Sequence, residues 1–258
     1  MNYFDHLTAA ERYAQGRPFF QPLVAERVRR VCYPHQRAVC AIDVGCGTGQ
    51  STVAMVEVAE RVIGIDVSVA MLRHAKEHLR VSYVAGAAEA LPFRSQAIDL
   101  ITVGLALHWF DRNEFLAEAR RVLRPGGWLV VFNDRFSGTM NENRDYADWS
   151  SDSYGRRFPT PPRNAALLDD DEARNHGFAV TAHERFSHTV AFTPDELVRY
   201  LLTHSNVIAA AEQGTEDIGS ITAWLSDEVR PLFKDQSGTF PFHCDVDIYQ
   251  RQPDDPRH

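Results

Sequence analysis

Residues 42–50 read Ile-Asp-Val-Gly-Cys-Gly-Thr-Gly-Gln, and this stretch decides the reading of the chain. The apolar run Ala38–Val44 leads into it, and Thr48–Val58 leaves it with helical spacing. Glycines between a strand and a helix are informative because they accept positive φ and let backbone approach a ligand with no Cβ in the way. In an open α/β sheet such a loop lies at the carboxyl ends of the strands, beside the point where strand order reverses. A second run, RVIGI at Arg61–Ile65, ends at Asp66, 21 residues after Gly45. An acid about 20 residues beyond the first glycine is where ribose hydroxyls are held in nucleotide-type folds.

Outward from the glycines the alternation continues. Val69–Leu79 reads as a helix with Ser68 as its N-cap. Val81–Ala85 and Ala97–Val103 read as strands, Arg112–Leu123 as a helix stopped by Pro125-Gly126-Gly127, and Trp128–Asn133 as a fifth strand. Short buried strands alternating with helices imply right-handed βαβ units and a parallel sheet covered on both faces. Upstream, Leu23–Cys32 has helical spacing. Downstream, Val180–Phe192 reads as a strand and Pro194 to about Phe233 as two or three helices. Phe240–Gln250 alternates apolar with polar residues and reads as a strand with two different faces, followed by a frayed tail.

The glycine spacing is GxGxG, not the GxGxxG that places a pyrophosphate at a helix N-terminus. Asp43, just ahead of the glycines, would repel a phosphate. It suits the cationic amino-acid end of S-adenosylmethionine. The stretch from Ala41 to Phe132 resembles the class I S-adenosylmethionine-dependent methyltransferases. IDVGCGTGQ is similar to their first motif, GIDVS with Met71 to the second, GAAEALPF to the third, AIDLITVGLALHWF to the fourth and RRVLRPGGWLVVF to the last. The resemblance implies a Rossmann-like, doubly wound, seven-stranded and mostly parallel sheet with an antiparallel last strand and helical insertions forming a lid. It divides the chain into an N-terminal helical arm (1–37), a cofactor-binding core (38–133) and a remainder of the same domain (134–258) with acceptor-binding insertions at 134–178 and 193–238.

Residue by residue, the resemblance puts Asp43, through ordered contacts, with the backbone of Gly45, Cys46 and Gly47 around the methionine part, inside a loop that Thr48 and Gly49 complete. Asp66 takes the ribose hydroxyls, Val67 and Met71 cover the adenine, and Ala88 and Glu89 lie at its edge. Gly104 and Leu105 lie beside the sulfonium. Many relatives carry Asp where this chain has Ala87, which leaves the adenine amine to backbone atoms or Glu89. ALHWFD after the fourth strand and an N-terminal YxxGRPxF string (Tyr13, Gly16, Arg17, Pro18) resemble the trans-aconitate methyltransferase branch, which methylates small carboxylic acids.

Two residues are candidates for work on the methyl acceptor. His108, at the carboxyl end of the fourth strand, has the unperturbed pKa of about 6.5 that suits a base; alternatively it packs with Trp109. Arg17 offers a guanidinium that matches a carboxylate bidentately, or else it is a solvated arm residue. Tyr13, Phe19, Phe20, Trp149 and Tyr154 form either a lid or core. The pairs His74/His78 and His183/His188 lack companion ligands at a familiar metal spacing, so no metal is expected.

The 258 residues are 44% hydrophobic and 24% charged, an ordinary globular composition. The net charge of -8 argues against a nucleic-acid partner. So does Gly104-Leu105-Ala106-Leu107, which stands where amino-methylating nucleic-acid enzymes carry an Asn/Asp-Pro-Pro-aromatic string. A non-catalytic relative would have no reason to keep both the glycines and Asp66. Cys32, Cys40, Cys46 and Cys244 form no CxxC pair, and neither a leader nor an apolar run of about 20 residues is present. The expectation is a cytoplasmic methyltransferase with a small-molecule acceptor, no membrane contact, an open oligomeric state and S-adenosylhomocysteine as its product. O-Methylation of a carboxylate leads; O-, N- or C-methylation of a secondary metabolite is the alternative.

Overall fold

Seven strands form one sheet in the order β3-β2-β1-β4-β5-β7-β6. They are β1 (Ala38–Val44), β2 (Ala59–Asp66), β3 (Val81–Ala85), β4 (Ile98–Gly104), β5 (Leu123–Phe136), β6 (Phe178–Phe192) and β7 (Gly238–Arg251). The structure, a computed structural model, describes residues 7–160, 168–212, 214 and 216–254. β1 pairs in parallel with β2 and β4, β2 with β3, and β4 with β5, while the last strands run antiparallel. The sheet is the Rossmann-like, doubly wound arrangement expected from the sequence. Central β1 has only Val39 exposed, so its near-continuous apolar run reflects cover on both faces. From β1 the chain builds outward to β2 and β3, then returns to the other side for β4 and β5. The reversal lies between β1 and β4, at their carboxyl ends.

The helices between these strands are shorter than periodicity suggests. α1 (Leu7–Gly16) and α2 (Gln21–Cys32) form the arm; α3 (Gln50–Ala54) follows β1 and tightens into a 3-10 turn at Met55–Glu57. α4 is only Val69–Leu72, although helical spacing runs on to Leu79. Its Ser68 cap is present, with the side chain accepting from the Met71 N–H. Beyond Leu72 the backbone is claimed elsewhere: the Lys76 N–H donates to Thr48 O (3.1 Å) and the Tyr83 hydroxyl donates to Lys76 O (2.6 Å). These bonds to the glycine loop and β3 satisfy groups that a helix would otherwise pair internally. α5 (Arg112–Val122) is capped by Asp111 and runs directly into β5. Pro125-Gly126-Gly127 lies inside that strand, where the pairing with β4 shifts register between Ile98 and Leu100.

The later segments contain α6 (Asp145–Asp148), a π-helical turn at Trp149–Tyr154, α7 (Gly155–Arg157) and α8 (Asp170–Asn175). They also contain α9 (Pro194–Leu201), α10 (Ser205–Glu212) and α11 (Ile218–Val229). Two compact units result. One holds the described residues of Phe19–Asn133, Arg163–Arg185 and Asp245–His258; the other holds those of Met1–Pro18, Asp134–Pro162 and Phe186–Cys244. The residues of the arm fall in both units, on either side of Pro18. Each unit has its own core. In the first, Ile42, Val103, Phe115, Leu129 and Tyr249 are buried together; in the second, Tyr146, Phe158, Leu197, Leu225 and Phe240.

The alternation in β7 holds from Gly238 to Cys244 and then breaks, because Asp245 and Asp247 are buried as well. Partners on β6 make this tolerable. Arg185 reaches Asp245 (2.9 Å) and Asp247 (2.8 Å), and His183 Nδ1 lies 2.8 Å from Asp247 Oδ1 and Nε2 3.3 Å from Asp170. Buried carboxylates need such pairing. His183 and His188 are therefore not neighbours in one ligand set: His188 Nε2 bonds Asp134 instead (2.9 Å). Among the described residues no three His, Cys, Asp or Glu side chains converge as metal ligands, and no helix is long and apolar enough to cross a membrane. The C-terminal residues expected to fray, 255–258, lie outside the described residues.

The hydrogen bond that His183 donates to Asp247 raises its pKa, opposed by partial burial and assisted by Asp170. A histidine whose folded pKa is raised contributes its full stability below its unfolded value, about 6.5, and loses it as pH rises through the folded value. His183→Gln should therefore lower Tm more at pH 5.5 than at pH 8.5. Equal losses at the two values would show that the imidazolium contributes nothing.

Candidate active site

The loop after β1 turns on three residues with positive φ: Gly45 (71°), Gly47 (54°) and Gly49 (73°). At Gly45 a Cβ would come within 2.5 Å of the Ala106 side chain; at Gly49 it would overlap the Tyr83 hydroxyl. Non-glycine residues are thus excluded by conformation and by space together. The N–H groups of Gly45 and Cys46 both donate to Ile65 O (2.8 and 3.0 Å), which fastens the loop to the end of β2.

Asp43 lies beneath this loop, fully buried. Its Oδ2 accepts from Ser51 Oγ (2.6 Å) and Thr52 Oγ1 (2.7 Å), and its Oδ1 accepts from Thr102 Oγ1 (2.8 Å). Burial pushes its pKa up, and the three hydroxyl bonds hold it down. Its charge is used to join β1, α3 and β4, and no carboxylate oxygen is exposed in the cleft. Burial and the nearby acids Asp43 and Asp66 push the Cys46 thiol well above its usual range, so it is an inert small residue rather than a nucleophile.

Asp66, at the end of β2, is half-buried. Its Oδ2 accepts from Gly47 N–H and its Oδ1 from Ser68 N–H, both at 2.8 Å. A carboxylate is an acceptor-only group, the type that ribose hydroxyls donate to. Met71 is buried, its methyl group beside Gly47, whereas Val67 is 65% exposed. Ala88 packs into the core beside the end of β2. Glu89 accepts from the Asp111 N–H (2.9 Å), tying the loop after β3 to the one after β4. At the end of β4, Gly104 is paired with Phe132 of β5, and Leu105 adopts φ of 56°. A left-handed leucine is an uncommon and strained conformation of the kind that gathers at functional sites. His108 follows on a 3-10 turn (Leu107–Trp109), half-buried, its ring 4.7 Å from that of Trp109.

These features suit S-adenosylmethionine. The glycine loop is held close against Ala106, Met71 and Tyr83, a carboxylate stands at the end of β2 where a ribose would lie, and the Thr48 hydroxyl is buried within the loop with no hydrogen-bond partner among the described residues.

Arg17 belongs to the other compact unit. Its Nη2 donates to Thr203 O (3.1 Å), and its guanidinium carbon lies 4.8 Å from the Tyr13 ring centre and 5.5 Å from that of Tyr200. In the same unit Asp134 is pushed up by burial and held back by its bond to His188 and by the charge of Arg17. Trp149 and Tyr154 are core: Trp149 Nε1 donates to Glu228 (3.0 Å), and Tyr154 Oη pairs with His204 Nδ1 (2.8 Å). Phe20 packs edge-on against Phe132 (6.2 Å), and Phe19 is exposed with Lys76 over its ring. Sequence reasoning missed Ser51, Thr52 and Thr102. Their signal is hydroxyls placed on otherwise apolar faces around a buried acid.

Residues 42–131 match the methyltransferase-domain family. A Dictyostelium discoideum protein described as a methyltransferase is 27% identical over 205 residues, 77% of each chain. A malonyl-[acyl-carrier protein] O-methyltransferase of Coxiella burnetii is 34% identical over 147 residues, 55% of this chain and 50% of that one, so the match spans about half of that relative. A solved structure from Anaeromyxobacter dehalogenans, described as a type II methyltransferase, superposes with a TM-score of 0.68 at 24% identity, covering 92% of this chain and 97% of that one. The chain is a methyltransferase with a Rossmann-like fold.

Thr102→Val keeps shape and removes one donor from a buried carboxylate. It should cost about 1–3 kcal/mol of stability in urea denaturation. A change below about 0.5 kcal/mol would mean that Asp43 does not depend on that bond.

Proposed function

We propose that the protein transfers a methyl group from S-adenosylmethionine to a carboxylate oxygen of a small organic acid. The observation that carries this reading is the likeness, over about half of each chain, to a relative named for O-methylation of a malonyl group.

When bound, the cofactor supplies a methyl carbon on a sulfonium, and its loss leaves S-adenosylhomocysteine. What the chain supplies is position and electrostatics. Asp66, Met71 and the glycine loop fix the nucleoside and amino-acid parts, and Gly104 with Leu105 forms the backbone wall beside the sulfur. A carboxylate is already ionised near neutrality and attacks through an oxygen lone pair, so no proton has to be moved. His108 then orients the acceptor or closes the wall rather than acting as a base.

The direct test is a screen of small mono-, di- and tricarboxylic acids with methyl-labelled donor, followed by mild alkali. A methyl ester releases its label as methanol; label that survives alkali on nitrogen, carbon or an ether oxygen would overturn the reading. With the acid so found, His108→Ala should lower kcat less than about tenfold; a loss of 10²-fold or more would mark a general base and an acceptor that must be deprotonated.

A further inference from the structure

Gln21 lies in the first turn of α2 and is only 6% exposed. Its Nε2 donates to Oε1 of Gln50 (3.3 Å), itself buried and immediately after Gly49. The amide is therefore fixed against the end of the glycine loop, with its Oε1 left over. That oxygen is buried and has no hydrogen-bond partner among the described residues. Buried amide oxygens are rarely left so, and an exception marks a place where a partner is missing. The preceding residue, Phe20, packs edge-on against Phe132, which is paired with Gly104. The dipeptide Phe20-Gln21 thus connects Phe132 of β5, opposite the end of β4, with the start of α3, all within one compact unit.

We propose that Gln21 binds the amino-acid end of S-adenosylmethionine, its Oε1 accepting a hydrogen bond from the α-ammonium group. The assignment rests on the cofactor and not on the acceptor. An amide oxygen only accepts, so its partner must be a donor. The cofactor has three kinds of donor. The ribose hydroxyls belong with Asp66 at the other side of the loop, and the adenine amine belongs with the Met71 and Glu89 side. The ammonium group, with three N–H bonds, is the one left. Asp43, the acid whose charge matches it, has both oxygens occupied by hydroxyls beneath the loop. Gln21 provides the direct acceptor that Asp43 does not, and the amide does so without adding a charge that would hold the product.

Titration calorimetry separates the possibilities with two ligands: S-adenosylhomocysteine and its deamino analogue, the adenosyl thioether of 4-sulfanylbutanoate, which keeps the carboxylate. The wild-type protein should bind the analogue about tenfold more weakly. Gln21→Met, similar in length and unable to accept, should bind S-adenosylhomocysteine about tenfold more weakly than wild type and no longer distinguish the two ligands. Gln21→Glu, which keeps an acceptor, should still distinguish them, so the proposal stays testable if the methionine variant fails to fold. Undiminished discrimination by Gln21→Met, or a wild type that binds the two equally, would overturn the role of Gln21 and leave the cofactor assignment intact. A wild type that binds neither would overturn both.

Discussion

The folded state depends on one buried charge. A carboxylate removed from water is costly unless its lone pairs are met, and at Asp43 three hydroxyls meet them. Those hydroxyls come from α3 (Ser51, Thr52) and β4 (Thr102), so the acid at the end of β1 fixes the direction in which α3 leaves the loop and the alignment of the two central strands. Remove that knot and the glycines would have the freedom to turn with nothing to choose the turn.

A second acid does for the front of the loop what Asp43 does for its back. Asp66 receives the N–H groups of Gly47 and Ser68. The Lys76 N–H reaches Thr48 O, and Tyr83 wedges against Gly49 while its hydroxyl closes on Lys76 O. Segments far apart in sequence thus hold one another through bonds to backbone groups. Preorganisation of this kind means that little has to be reordered when a ligand arrives.

The parallel core was legible because its strands are short, apolar and punctuated by glycine, and because Asp66 falls at a fixed distance from Gly45. What could not be read was set by tertiary partners. The Val69–Leu79 pattern is helical in isolation, yet the pull of Thr48 on Lys76 ends the helix at Leu72. The polar face of β7 looks solvated in a linear reading, but Arg185 and His183 from β6 allow Asp245 and Asp247 to be buried. Trp149 and Tyr154 are as compatible with a lid as with a core until their packing is seen. The glycine loop and Asp66 could be placed in the fold by motif. The setting of Arg17 and the burial of Gln21 depend on the packing of the arm helices, which the YxxGRPxF string at residues 13–20 does not specify.

The division of the chain into two units limits how the protein can be dissected. The nucleotide-type unit is assembled from three stretches of chain, and so is the other, whose described pieces lie within the first 18 residues and the stretches Asp134–Pro162 and Phe186–Cys244. Neither can be expressed as one continuous fragment, because any fragment that holds the whole of one carries part of the other.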